Sequence, residues 1–516
     1  MSDSENITFS TWRRVLWPIQ RHELSKFLPL LLIFFFVSLD YNILRTLKDT
    51  LVVTPAASGA EVIPFIKVWV LLPTSILLTL LFTRLARRFT FEGVFNVMIS
   101  LFLVYFFFFI TVAYPNSEYL HCHAFADSLE DVLPKGCKGL ISMIRYWSFT
   151  TFYVMSELWS NIVLSMLFWG FANHVTKVGE SKRFYGLLGI GANFSGIIAG
   201  FISMALCSID YYPSLPYGKT AWDQSLFLLI SIVIISGLIT LAIFKWMHVF
   251  SLADQKGELS LSQPKRLSMR ENFSTLFRSR YLLSIAVIVL SYNLIINLVE
   301  VMWKHEVRAL YPNPSDFGLY MNKVMTIIGV MATFTSVFLT GNIVRWFGWS
   351  FTALLTPAVL LISSIAFFAF FFMKQTFPGA LFFGMTPLAL SVFFGTLQNC
   401  LSRGAKYTVF DASREMAFVP LSPDTKIKGK AAIDGVCSRL GKSGGSVIHQ
   451  SLFLIFGTIT QSAPFVAAFL LSTLVVWIGA VKSLGRKYES LSDSTGPIDE
   501  ALLDKSQKEE LSEQVV

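Results

Sequence analysis

Residues 39–49 read LDYNILRTLKD, and residues 290–300 read LSYNLIINLVE. Each segment ends the first apolar run of its half of the chain, shares Leu-x-Tyr-Asn with the other, and closes on a charged residue, Asp49 or Glu300. A segment that recurs half a chain-length away predicts two halves in the same orientation. Taken with the composition and the apolar runs described below, the expected fold is an all-α polytopic membrane protein with 12 transmembrane helices in two six-helix halves. This is the major-facilitator-like plan, in which the substrate sits between the halves.

The rest of the chain agrees with that reading. Of 516 residues, 54% are hydrophobic, 15% aromatic and only 15% charged, too little polar surface for a soluble fold of this size. A crossing takes about 20 apolar residues. On that measure spans are expected at 27–47, 62–83, 91–114, 142–172, 184–207, 224–246, 281–302, 319–342, 351–373, 379–400, 431–457 and 463–483. The fourth is too long for one perpendicular crossing and must tilt or start outside the bilayer. The domain plan is a cytoplasmic segment 1–26, a six-helix bundle 27–246, a cytoplasmic linker 247–280, a second bundle 281–483, and a tail 484–516 expected to be disordered.

The net charge of +9 sits in short segments between apolar runs, so it reads as a topology signal rather than a nucleic-acid surface. Arg13, Arg14, Arg21 and Lys26 precede the first span, and basic clusters recur in alternate loops: Arg84, Arg87 and Arg88; Lys177, Lys182 and Arg183; Lys256 to Arg280; Lys406 to Lys428. Both termini are expected to be cytoplasmic. The opening MSDSENITF is acidic and followed by no small-residue cleavage site, which is unlike a signal or transit peptide. Five cysteines are too few for a disulfide framework. Cys122 and Cys137 share the loop 115–139, where an oxidising compartment leaves a bridge open. His121, Cys122 and His123 with Cys137 admit a metal reading, but a solvated loop fits better.

Charges inside spans cost at least a few kcal/mol unless they face a partner or a wet path. Here they are Asp40, Arg45, Lys48 and Asp49, then Glu157, then Glu300 and Lys304, and finally Lys442. In a functional reading Arg45, Lys48 and Lys442 receive an anionic solute, while Glu157 and Glu300 pair with them when the site is empty. In a structural reading Glu157 and Lys442 are an ion pair that fixes helix packing. Lys442 lies in LGKSGG, which misses the phosphate-loop spacing by one residue after Gly435 and precedes an apolar run instead of following a strand. ATP hydrolysis is not expected there, and neither a catalytic residue nor a metal nor a cofactor is called for. The glycines of GKSGG thin the helix beside Lys442, so that backbone and ammonium could both reach a phosphate. In GLLGIGANFSGIIAG at 186–200 the small residues Ala192, Gly196 and Gly200 suit helix packing, and Asn193 is a candidate to face the pathway. Tyr41, Trp159 and Trp303 flank the charged positions as candidates to stack a base.

Several blocks together carry a resemblance. YNILRTLKDTLVVT with GAEVIPFIK, SELWSNIVLSMLFWGFAN, NLVEVMWK, KYTVFDASREMAFVPL and KGKAAIDGVCSRLGKSGG resemble, in matching order from about residue 20 to 485, the nucleotide transporter family of ATP/ADP translocases. That family is found in plastids and in obligate intracellular bacteria such as chlamydiae and rickettsiae. The resemblance implies counter-exchange of host ATP for ADP and phosphate, an energy parasitism, in a fold unrelated to mitochondrial carriers. It places the family's functional charges on Lys48, Glu157, Glu300 and Lys442, to which Arg45, Asn193 and Tyr41 are added from the residues alone. Expected partners are ATP, ADP, phosphate and membrane lipid, with no nucleic acid, and the chain is expected to be a monomer in the inner membrane. Members of the family that import nucleotides with protons or carry NAD remain alternatives, as does a major-facilitator transporter of another organic anion. A nucleotide-gated channel or membrane ATPase is disfavoured by the loop spacing and the lack of a large cytoplasmic domain.

Overall fold

The structure, a computed structural model, describes residues 19–176, 178–251, 276–277, 279–338, 340–377, 379–382 and 384–492. Residues 1–18 of the expected N-terminal segment, 252–275 of the linker and 493–516 of the tail lie outside the described residues. Among the described residues the long helices are α1 Leu24–Val53, α2 Val62–Arg88, α3 Phe91–Ala113, α4 Trp147–Asn173, α5 Arg183–Cys207, α6 Ala221–Val249, α7 Arg280–Leu310, α8 Pro314–Thr335, α9 Phe347–Thr376, α10 Pro387–Ala405, α11 Ser438–Phe456 and α12 Ile459–Tyr488. Ten of them are long and apolar enough to cross a membrane. α10 and α11 stand where the tenth and eleventh spans are expected but are not among those ten. Each has 19 residues and is rich in polar side chains, with Gln398, Asn399, Ser402 and Arg403 in α10 and Arg439, Lys442, His449 and Gln450 in α11.

Local chemistry sets the helix ends. Thr220 and Asp223 form a reciprocal capping box at the start of α6. Ser279 Oγ accepts the Leu282 amide at 3.0 Å to open α7, and Thr386 with Pro387 opens α10. α9 is set off at Gly348, whose φ of 76° and ψ of 173° suit only glycine. The overlong fourth span resolves into two pieces, since a separate helix Lys138–Arg145 ends at Tyr146 before α4 begins.

Contact density divides the described residues into two compact units. The first takes the described residues of Met1–Leu47, Ser75–Pro115 and Met155–Ser262. Its core is aromatic: Phe95 stacks on Phe244 with centroids 3.8 Å apart, and Phe34 stacks on Phe168 at 4.2 Å. The small-residue stretch of α5 is a packing face, because a Cβ on Gly191 would lie 2.6 Å from Leu31 Cδ1 and one on Gly196 would lie 3.4 Å from Asn42 Nδ2. Phe194, Phe201, Ile235 and Leu238 are exposed, as suits helices whose solvent is hydrocarbon.

The second unit takes Lys48–Thr74, Asn116–Val154 and the described residues of Gln263–Val516. α7 is its hub and packs against α10, α11 and α12. Tyr292 of α7 stacks on Phe410 at 4.4 Å and meets Trp477 of α12 edge-on. Gly441 and Gly445 of α11 press on α7: added Cβ atoms would lie 2.8 Å from the Leu290 carbonyl oxygen and 3.0 Å from Asn297 Cβ.

The stretch expected as a solvated loop is instead a packed helical insertion. Helices Ser117–Leu120, His123–Val132 and Lys138–Arg145 enclose Ala126, Cys137 and Ile141, with Leu129 and Leu133 beside them. Arg145, buried, holds Asp127 at 2.6 Å and Glu130 at 3.0 Å, and Gly136 lies against the backbone of Phe453 in α11. Cys122 is exposed, Cys137 is buried, and both thiols are free. His121 Nε2 lies 2.7 Å from Ser148 Oγ, its ring edge-on to Tyr146 and Phe149. Among the described residues no three His, Cys, Asp or Glu side chains are disposed to hold a metal ion.

Candidate functional site: a buried chain of charges

The last turns of α1 carry Lys48 and Asp49, which are 5% and 2% exposed. Glu300 and Lys304 are one turn apart on α7, so both project from one helix face. These four join through space. Lys48 Nζ meets Asp49 Oδ1 at 3.0 Å, Lys304 Nζ meets Asp49 Oδ2 at 2.7 Å, and Lys304 Nζ also meets Glu300 Oε1 at 3.0 Å. Arg403 of α10 extends the chain, its Nη2 lying 3.6 Å from the same Glu300 oxygen. Lys48 Nζ also stands 4.0 Å from the centre of the Tyr153 ring, a cation–π contact.

Burying an ion costs several kcal/mol unless an opposite charge and hydrogen bonds offset it. Alternating signs provide that offset here. Three cations face two carboxylates, so these five groups carry one excess positive charge when all are ionised. The arrangement can accept an anion by exchanging a carboxylate partner for a ligand oxygen.

Lys48 and Glu300, both sequence candidates, are thus brought into one network. Lys442 belongs to the same compact unit, with an exposed side chain and a carbonyl that accepts Asn297 Nδ2 at 2.6 Å. Of the glycines near it, Gly441 and Gly445 pack on α7, while Gly444 meets only Leu294 Cδ1 at 3.8 Å. The other candidates lie in the first unit. Tyr41 and Arg45 are half-buried one turn apart on α1, the guanidinium 6.0 Å from the ring centre. Glu157 is half-buried just before a ten-residue π-helical stretch of α4, Trp159–Phe168, and Asn193 is half-buried on α5. Trp159 and Trp303 are not available to stack a base. Both are buried, Trp159 donating from Nε1 to the Val37 carbonyl at 3.1 Å and Trp303 to Thr396 Oγ1 at 3.1 Å.

Asp49, Lys304 and Arg403 are the members the sequence candidates leave out. Asp49 and Lys304 were visible as charges within spans, and the i, i+4 spacing of Glu300 and Lys304 was a usable signal. Arg403 lies beyond residue 400, where the tenth span is expected to end, because α10 runs on to Ala405.

Long apolar helices around a cation-rich buried charge chain define a polytopic membrane transporter of major-facilitator-like fold. The chain belongs to the TLC ATP/ADP transporter family, whose model matches residues 2–488. It is 43% identical to "ADP,ATP carrier protein 2" of Chlamydia pneumoniae over 508 residues, covering 95% of this chain and 94% of that one. It is 42% identical to "ADP,ATP carrier protein 1" of Chlamydia trachomatis serovar D over 498 residues, with the same coverage. Among solved structures, a bacterial homologue of the iron transporter ferroportin in an inward-facing state superposes with a TM-score of 0.54 at 16% identity, covering 92% of this chain and 99% of that one. That likeness speaks to the fold alone.

Proposed function

We propose that the protein is an ATP/ADP antiporter that imports host ATP in exchange for ADP and phosphate by alternating access. The observation that carries this reading is the cation-rich Lys48–Asp49–Lys304–Glu300–Arg403 cluster in a chain of the TLC family. A polyphosphate needs cations along a low-dielectric path, and the empty carrier needs carboxylates that take the substrate's place. Lys48, Glu157, Glu300 and Lys442 serve that purpose, with Arg45, Asn193 and Tyr41 completing the substrate surface. The chain works as a monomer in the inner membrane of an obligate intracellular bacterium, with lipid around it and both termini in the cytoplasm. The halves 27–246 and 281–483 rock to expose the site alternately, and the protein transports nucleotide without hydrolysing it.

The test is efflux of labelled ATP from preloaded cells or proteoliposomes with and without external ADP. Efflux that rises steeply with ADP is expected. Equal rates in both conditions would refute exchange and favour a uniporter or proton symporter. Stronger competition by NAD than by ADP for labelled ATP uptake would refute the choice of substrate.

A further inference from the structure

Asp49 is nearly inaccessible, and its two oxygens are divided between two ammonium groups from distant parts of the chain. Lys48 Nζ holds Oδ1 at 3.0 Å and Lys304 Nζ holds Oδ2 at 2.7 Å. A carboxylate that bridges two lysines in this way presents them with what a phosphoryl group presents: two anionic oxygens on one centre. Glu300 is placed differently. One of its oxygens, Oε1, is shared by Lys304 at 3.0 Å and Arg403 at 3.6 Å, and the residue is more exposed than Asp49.

We infer that Asp49 is the internal counter-anion of the substrate site: it occupies the Lys48 and Lys304 ammoniums when no phosphate is bound, and an arriving phosphoryl group displaces it. Lys304 is correspondingly a phosphate-binding cation beyond the four charges read from the sequence. Two ammoniums withdrawn from water cannot be left without an anion, since each uncompensated charge costs several kcal/mol. They can change partner, but the displaced Asp49 carboxylate then loses both of its ammoniums, and that cost is set against substrate binding. Asp49 therefore competes with substrate, which weakens binding and speeds release, as a counter-exchanger needs. The inference rests on reading the cluster as the phosphate surface, and not on the nucleotide being ATP.

The competition has a signature that loss of packing lacks, because removing the competitor strengthens binding. Calorimetry on the purified full chain in detergent, with inorganic pyrophosphate as the probe and ATP in a parallel arm, reads it directly. Asp49→Asn keeps the shape and removes the charge, and is expected to tighten pyrophosphate binding roughly tenfold, equivalent to about 1.4 kcal/mol. In transport it lowers the apparent KM and the maximal rate together. Asp49→Glu, which returns the charge on a longer stem, falls between wild type and Asp49→Asn. Lys304→Met weakens pyrophosphate binding, and stands as the deciding measurement if Asp49→Asn does not accumulate. Unchanged or weaker pyrophosphate affinity in a folded Asp49→Asn, or unchanged affinity in Lys304→Met, overturns the inference. If pyrophosphate behaves as expected while wild type fails to bind ATP, the counter-anion stands and the choice of ATP falls.

Discussion

The glycines of LGKSGG separate two explanations of that sequence, helix packing and phosphate approach, and the geometry predicts which substitution is harmful. A Cβ at Gly441 would lie 2.8 Å from both the Leu290 carbonyl oxygen and Asn293 Cβ of α7. Neither atom is the tip of a flexible side chain, so α11 must move away from α7. Overpacking of this kind costs about 1–3 kcal/mol, against which alanine recovers about 1 kcal/mol of helix propensity. Gly441→Ala is thus expected to destabilise by about 1 kcal/mol and to weaken transport through the displaced helix. At Gly444 the same methyl meets only Leu294 Cδ1 at 3.8 Å, an ordinary contact. Gly444→Ala should therefore be neutral or stabilising. Scanning fluorimetry of both variants in detergent, beside labelled ATP uptake corrected for membrane level, provides the measurement. If Gly444→Ala abolished uptake at an unchanged melting point while Gly441→Ala behaved as wild type, the packing argument would fail and a ligand would have to approach that backbone.

Three further expectations follow from named side chains. Lys442→Ala should raise the apparent KM for ATP or abolish uptake, Lys442→Arg should fail too because a planar fork does not replace a compact ammonium, and Glu157→Ala should not rescue Lys442→Ala; full rescue in the double variant would identify a structural pair. With free thiols at exposed Cys122 and buried Cys137, a membrane-impermeant maleimide should label Cys122 without prior reductant and Cys137 only after unfolding. Labelling of neither until reductant is added would establish a bridge. His121 has its pKa lowered to about 4, first by burial and then by His123 nearby. Because the folded-state value lies below the unfolded one, the insertion should be fully supported above about pH 6.5 and lose stability as pH falls toward 4. Limited proteolysis of the 116–145 region across that window should show the loss, and His121→Gln should flatten it.

What could be read from the sequence divides along a physical line. Apolar length marks a span wherever its polar residues are few, so α1 to α9 and α12 lie close to the expected positions. α10 and α11 strain the same rule because protein, not lipid, must surround Asn399, Arg403, His449 and Gln450, whose burial is paid in contacts that no window average registers. The insertion at 116–145 is illegible for a related reason: its helices close on Ala126, Cys137 and Ile141 and are tied by Arg145 to Asp127 and Glu130, contacts between helices rather than a pattern along one. Membrane cost marks Lys48, Asp49, Glu300 and Lys304 alike, and the structure joins the four through pairs that the cost does not name. A cost argument counts each charge as an expense, whereas compensation is a property of pairs. It can thus say which positions demand an explanation, and cannot say which partner supplies it. That is why Asp49, which bridges the Lys48 and Lys304 ammoniums, reads along the chain as one more buried acid.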